Sequence, residues 1–181
     1  DRIARYILEK AWRRGDVEDG GWVVEASSGS TSIALALAAA QMGLRFVAVM
    51  PEGVSRERLL SITGYGGQIE LTPKASGLAG AMARAAAIAE ERGALYTRQF
   101  ENPDNAEAHR VWTGQEILAQ IPGGVVDAIV SGVGTGGTIV GLYEACATEG
   151  CRVTPVVARP VVGTAVRDLE CCSFSGRVPG V

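Results

Sequence analysis

Short apolar runs alternate along the chain with longer amphipathic or alanine-rich segments. The apolar runs have the length of buried strands, and the longer segments repeat apolar residues at helical spacing. Strands are predicted at 22–26, 45–50, 68–71, 125–130 and 152–158, and helices at 1–14, 30–42, 55–62, 78–92, 106–120 and 136–148. Because strands and helices alternate, we predict a three-layer α/β fold of parallel sheets with helices on both faces.

The composition is that of a globular protein. The chain has 181 residues, 47% of them hydrophobic and 20% charged, which is enough for one large domain or slightly more. A net charge of −3 gives no electrostatic reason to expect nucleic acid or a membrane surface as a partner. No apolar stretch is long enough to span a bilayer, and the first residues do not resemble a signal peptide.

Cysteine and histidine usage argues against a metal site. The four cysteines form no CxxC pair, and His109 is the only histidine. Unpaired cysteines are typical of a reduced, cytoplasmic protein. The cysteines are Cys146, Cys151, Cys171 and Cys172.

Two loops carry candidate anion-binding chemistry. SGVGTGGT (131–138) follows a predicted strand and precedes a helix, so its bare backbone amides and the helix start suit a phosphate. EASSGSTS (25–32) lies at the corresponding place in an earlier strand–helix unit, and its hydroxyls and helix-start amides suit a carboxylate or another small anion. In parallel sheets, ligands bind at the carboxyl ends of strands, where both loops are expected.

The glycine-rich loop also satisfies the dinucleotide pattern GxGxxG, through Gly132, Gly134 and Gly137. The next predicted strand leads to Arg159 and not to an acidic residue, and an arginine there suits a 2′-phosphate. An NADP-binding Rossmann-type module is therefore the alternative interpretation, although it leaves the serine-rich loop without a role.

Five stretches in matching order resemble the cysteine synthase and cystathionine β-synthase family of pyridoxal-phosphate enzymes, which have the tryptophan synthase β-like fold (fold type II). The glycine-rich loop contributes GTGGT, and the serine-rich loop contributes EASSGSTSIALA. The remaining three are DRIA at 1–4, MPEGVSRERL at 50–59 and QFENPDN at 99–105, with His109 beyond.

The resemblance implies a homodimeric enzyme with two α/β domains, a smaller one at 1–98 with the serine-rich loop and part of a larger one at 99–181. It implies pyridoxal 5′-phosphate as cofactor and β-replacement on an activated serine, as in cysteine biosynthesis from O-acetylserine and sulfide. The implied phosphate-binding residues are Gly134, Thr135, Gly136, Gly137 and Thr138, with Ser30 beside the cofactor 3-hydroxyl. The implied substrate-carboxylate residues are Ser27, Ser28, Gly29, Thr31 and Gln99.

The chain departs from the family pattern in three respects. The family's Schiff-base lysine is expected directly before Asp1, so no catalytic residue is assigned within the chain, and Lys10 and Lys74 are interpreted as surface residues. The family's serine that faces the pyridine nitrogen is expected beyond Val181, and Ser30 stands where the family has asparagine. We therefore expect a fragment, incomplete at both ends and inactive alone. A non-catalytic relative that acts by binding is the third interpretation.

Overall fold

The computed structural model describes residues 1–158, and Arg159, Cys171, Cys172 and the rest of the domain predicted at 99–181 lie outside them. The described chain forms two compact units, one of residues 3–98 and one of residues 99–158. The elements up to residue 98 are α1 (Arg2–Arg14), β1 (Trp22–Ala26), α2 (Ser30–Gln41), β2 (Arg45–Pro51), α3 (Arg56–Gly64), β3 (Gln68–Thr72), a 3₁₀ turn (Lys74–Ser76), α4 (Gly77–Arg92) and β4 (Leu95–Tyr96).

The first unit is built on a four-stranded parallel sheet of order β3–β2–β1–β4. Val24 of β1 lies opposite Val47 of β2 on one side and opposite Tyr96 of β4 on the other. In the order 3–2–1–4 the strand order reverses between β1 and β4, and a ligand site is expected at the carboxyl end of β1, beside this switch point. The serine-rich loop follows β1 directly.

Side chains that alternate along the central strands pack into two separate cores. Val23 and Phe46 face α1, α2 and α3, whereas Val24 and Val47 face α4. Alternate residues of a strand point to opposite faces, so strands that are apolar throughout require helices on both sides. The predicted three-layer parallel α/β arrangement is confirmed in this unit.

The second unit contains the glycine-rich loop. Its elements are α5 (Pro103–Ala108), a π-helical segment (His109–Gly114), α6 (Gln115–Gln120), a 3₁₀ turn (Pro122–Gly124), β5 (Ala128–Gly132), α7 (Gly137–Thr148) and β6 (Thr154–Ala158). β5 and β6 pair in parallel, with Ala128 opposite Thr154. Ile129 of β5 and Ile139 of α7 are buried in a small core of their own.

Several predicted boundaries are wrong. The strand predicted at 125–130 is β5 at Ala128–Gly132. Val125 and Val126 follow the turn at Pro122–Gly124 directly, and this turn keeps them from pairing with β6. The helix predicted at 106–120 begins at Pro103, where Asn102 accepts a hydrogen bond from the Asp104 amide as an N-cap. That helix is also interrupted by the π segment, and β4 was not predicted because two residues give no periodic signal.

Candidate functional site

The glycine-rich loop joins the end of β5 to the start of α7. The short connection passes through Gly136, whose φ of 86° lies in the left-handed region that glycine adopts without strain. The N-cap residue of α7 is Gly136 itself, which has no side chain to cap the first turn. A helix start of this kind offers backbone N–H groups and a positive dipole end to an anion.

Asn105 holds the loop from the side of α5. This buried side chain donates through Nδ2 to the Gln99 carbonyl, at 2.8 Å, and to Thr135 Oγ1, at 2.9 Å. A second donor reaches Thr135 Oγ1 from the Gly137 amide, at 3.3 Å. A Cβ built on Gly137 would lie 2.1 Å from Asn105 Oδ1, so only glycine lets α7 begin this close to Asn105.

His109 contacts the same loop one turn further along. Its Nε2 lies 3.1 Å from Thr138 Oγ1, and its Nδ1 lies 3.0 Å from Thr113 Oγ1. Burial lowers the pKa of His109 below the ordinary histidine range, so the ring is neutral at pH 7. A Cβ on Gly141 would lie 2.2 Å from the Ala106 carbonyl, which shows how closely α7 packs against this segment.

These contacts fit a phosphate group. Cβ atoms built on Gly132 and Gly134 would meet no atom within 4 Å, so the loop is open on that side. The loop combines two threonine hydroxyls with the start of a twelve-residue helix, a donor set suited to an oxyanion. The residues present therefore fit the phosphate of the implied cofactor.

The serine-rich loop is held by hydrogen bonds within the first unit. The Ser27 amide donates to the Val49 carbonyl of β2, at 3.1 Å. The buried Ser32 hydroxyl donates to the Ser27 carbonyl, at 2.6 Å, and the Gly29 amide donates to Ser27 Oγ, at 3.2 Å. Ser27 Oγ and the Gly29 amide are thus used in part to shape the loop. Ser30 is exposed at the start of α2, where no side chain caps the helix.

A buried carboxylate lies directly before this loop. Glu25 is fully buried, and its Oε1 accepts from the Ala26 amide at 2.7 Å. Its Oε2 accepts from the hydroxyl of Thr97 at 2.6 Å, which ties the end of β1 to the residue after β4. The sequence signal of this group is an acidic residue inside an otherwise apolar strand.

The predicted site residues fall into two groups. Gly134 to Thr138 come together at the start of α7, and Ser27 to Thr31 come together at the start of α2. Gln99 is buried in the second unit, where its backbone carbonyl accepts a hydrogen bond from Nδ2 of Asn105. Sequence reasoning placed the NPDN stretch near the site but did not identify Asn105 as its contact with the loop. The sequence assigns no binding role to His109 or Thr113.

Residues 1–158 contain neither a candidate metal site nor a candidate membrane span. No three histidine, cysteine or acidic side chains in this part of the chain are grouped so that they could hold a metal ion. No helix of the same region combines the length and the apolar character needed to cross a membrane.

Comparison with known proteins places the chain among characterised relatives. Residues 1–171 match the family model described as pyridoxal-phosphate dependent enzyme. A cysteine synthase of Staphylococcus aureus (strain Mu50 / ATCC 700699) is 41% identical over 160 residues, which is 88% of this chain and 52% of the relative. The chain thus spans about half the length of the curated relatives it matches.

Solved structures give a consistent result. The crystal structure of an O-ureido-L-serine synthase superposes with a TM-score of 0.84 at 39% identity, over 88% of this chain and 51% of that one. A cysteine synthase from Entamoeba histolytica superposes with a TM-score of 0.79 at 33% identity, over 88% of this chain and 47% of that one. These matches confirm the predicted tryptophan synthase β-like fold and do not support the NADP-binding alternative.

Proposed function

The chain belongs to the pyridoxal-phosphate-dependent enzyme family, and on that premise we propose that its protein catalyses β-replacement on an activated serine. The proposed reaction makes cysteine from O-acetylserine, or a similar activated serine, and sulfide. The observation that carries the proposal is the glycine-rich loop at the start of α7, held in place by Asn105. The cysteine synthases among the relatives support the reaction type.

We propose that the loop binds the phosphate of pyridoxal phosphate and that Ser30 lies beside the cofactor 3-hydroxyl. The proposed phosphate-binding residues are Gly134, Thr135, Gly136, Gly137 and Thr138. The proposed substrate-carboxylate residues are Ser27, Ser28, Gly29, Thr31 and Gln99. When bound, pyridoxal phosphate supplies the electron sink for elimination at the substrate β-carbon. The residues of this chain bind and orient: amides and hydroxyls hold the two anionic groups, and the dipoles of α2 and α7 favour negative charge.

The test uses the product of the complete reading frame, of which these residues are all or part. We expect a lysine codon directly before Asp1, because the family resemblance requires the Schiff-base amine there. Purified protein with pyridoxal phosphate should convert O-acetylserine and sulfide to cysteine, and Thr135→Val should weaken cofactor binding. Release of acetate without cysteine would indicate either a different nucleophile or elimination to pyruvate and ammonia, and a panel of thiols and amines together with a pyruvate assay would distinguish the two. Absence of β-substituent release from every activated serine would refute the reaction type.

We also propose a cytoplasmic homodimer. The family resemblance supports the dimer, and the free cysteines of the described residues, Cys146 and Cys151, support a reducing compartment. Light scattering of the complete product measures the oligomeric state directly, and a monomer at micromolar concentration would refute the dimer.

A further inference from the structure

Both threonines of the glycine-rich loop are contacted at their oxygen atoms by side chains of the α5–π-helical segment. Thr135 Oγ1 receives Asn105 Nδ2 at 2.9 Å, and Thr138 Oγ1 lies 3.1 Å from His109 Nε2. A hydroxyl carries one proton to donate and two lone pairs that accept. The identity of its other partners therefore decides whether the threonine can still donate to a ligand.

For Thr135 the direction of these contacts is fixed. Asn105 Nδ2 also lies 2.8 Å from the Gln99 carbonyl, which can only accept, so this atom is the amide nitrogen and not the oxygen. The Gly137 amide adds a second donor to Thr135 Oγ1, at 3.3 Å. With two donors on its oxygen, Thr135 is left with its proton, which suits an acceptor such as a phosphate oxygen.

For Thr138 the direction depends on the tautomer of a neutral imidazole, in which one ring nitrogen donates and the other accepts. If Nε2 carries the proton, His109 donates to Thr138 Oγ1, and the Thr113 hydroxyl donates to Nδ1. If Nδ1 carries the proton, Nε2 accepts and consumes the only proton that Thr138 has. A phosphate dianion accepts hydrogen bonds only, so only the first arrangement leaves the Thr138 hydroxyl able to donate to it.

We propose that Asn105 and His109 are positioning residues that supply donors to Thr135 and Thr138, and that Thr113 holds His109 by donating to Nδ1 of its Nε2–H tautomer. Both threonine protons then remain available for one oxyanion. This inference rests on the proposed function in one respect, namely that the oxyanion is the cofactor phosphate. The tautomer itself is a property of the chain and is measurable without cofactor.

The chain's single histidine makes the tautomer directly observable. Long-range ¹H–¹⁵N spectra of ¹⁵N-labelled chain without a histidine tag give one imidazole, whose two nitrogen shifts distinguish the tautomers. In the complete product, the imidazole signal that is present in wild type and missing in His109→Asn is that of His109. We expect the Nε2–H form, and we expect Thr113→Val to move the ¹⁵N shift of Nδ1 toward that of a ring nitrogen that accepts no hydrogen bond. A wild-type Nδ1–H ring, or an Nδ1 shift that Thr113→Val leaves unchanged, would overturn the inference.

Binding measurements supply the second readout. Thr113→Val should weaken pyridoxal phosphate binding about three- to tenfold and leave pyridoxal, which lacks the phosphate, unchanged. The matched control is Thr148→Val, which removes an exposed threonine of α7 whose hydroxyl donates to the Glu144 carbonyl, and it should change neither affinity. Equal weakening of pyridoxal phosphate and pyridoxal would overturn the positioning role. An Nε2–H ring in a protein that binds no pyridoxal phosphate would support the tautomer assignment and refute the proposed cofactor.

Discussion

Replacement of Gly137 by alanine tests the packing of the glycine-rich loop against Asn105. The new Cβ would lie 2.1 Å from Asn105 Oδ1 and 2.6 Å from its Cγ, so the buried Asn105 side chain must move. That movement breaks the hydrogen bonds to Gln99 and Thr135. Two net hydrogen bonds at about 1 kcal/mol each, together with overpacking of about 1–3 kcal/mol, predict a loss of about 3–5 kcal/mol in the free energy of unfolding.

Urea denaturation measures this loss, and Gly132→Ala is the matched control. Gly132 ends β5, and a Cβ there would meet no atom within 4 Å, so its replacement should change stability by less than about 0.5 kcal/mol. Adding Asn105→Ala to Gly137→Ala removes the clash, so the double variant should cost less than the sum of the two single variants. Equal stability of Gly137→Ala and Gly132→Ala would refute the reasoning, as would strict additivity of the pair.

Three further perturbations test other parts of the structure. Glu25→Ala deletes a fully buried carboxylate that accepts from Thr97, so urea denaturation should show a loss of about 3–5 kcal/mol, and a loss below about 1 kcal/mol would contradict the buried pairing. Burial lowers the pKa of His109 in the folded protein, so the unfolded chain takes up the proton at a higher pH than the folded chain does. The stabilisation from the neutral ring should therefore be fully present above about pH 6.5 and be lost as the pH falls toward the folded pKa. His109→Asn should flatten this part of the profile of unfolding free energy against pH. Arg84 pairs with Glu70 and Glu91 on the surface, so Arg84→Ala should lower the free energy of unfolding only slightly and the loss should shrink with added salt, whereas a large, salt-independent loss would indicate a packing role.

The first unit was largely predictable because its elements follow simple patterns. Val23, Val24, Phe46 and Val47 are apolar on both faces of their strands, and such strands require helices on both sides. The glycine after α1 ends that helix as predicted, with Gly15 in the left-handed conformation. Local composition determined these features, so one sequence was enough.

The second unit was less predictable because its shape depends on contacts between distant residues. Asn105 and Thr135 are 30 positions apart, and nothing in either segment alone indicates that they form a hydrogen bond. The π-helical segment has no periodicity of its own, since its six residues continue the apolar pattern of the helices around it. The apolar Val125 and Val126 suggested a strand start, but the preceding turn delays pairing until Ala128.

The candidate site shows the same division. The two loops were located from their glycine and serine content at the ends of apolar runs, whereas the side chains that hold them were not. Asn105 belongs to the QFENPDN stretch that resembles the family, but one sequence does not show what it contacts, and Thr113 has no signal that separates it from ordinary helix residues. Their roles follow only from the distances to Thr135 and, through His109, to Thr138.

Cofactor-dependent cysteine formation by the complete reading-frame product tests the central claim most directly. We predict that protein freed of cofactor is inactive, that pyridoxal phosphate restores cysteine formation from O-acetylserine and sulfide, and that NADP has no effect. Thr135→Val should need more pyridoxal phosphate for the same rate, because Thr135 is a proposed phosphate contact. Activity that is independent of pyridoxal phosphate, or tight binding of NADP in its place, would contradict the account.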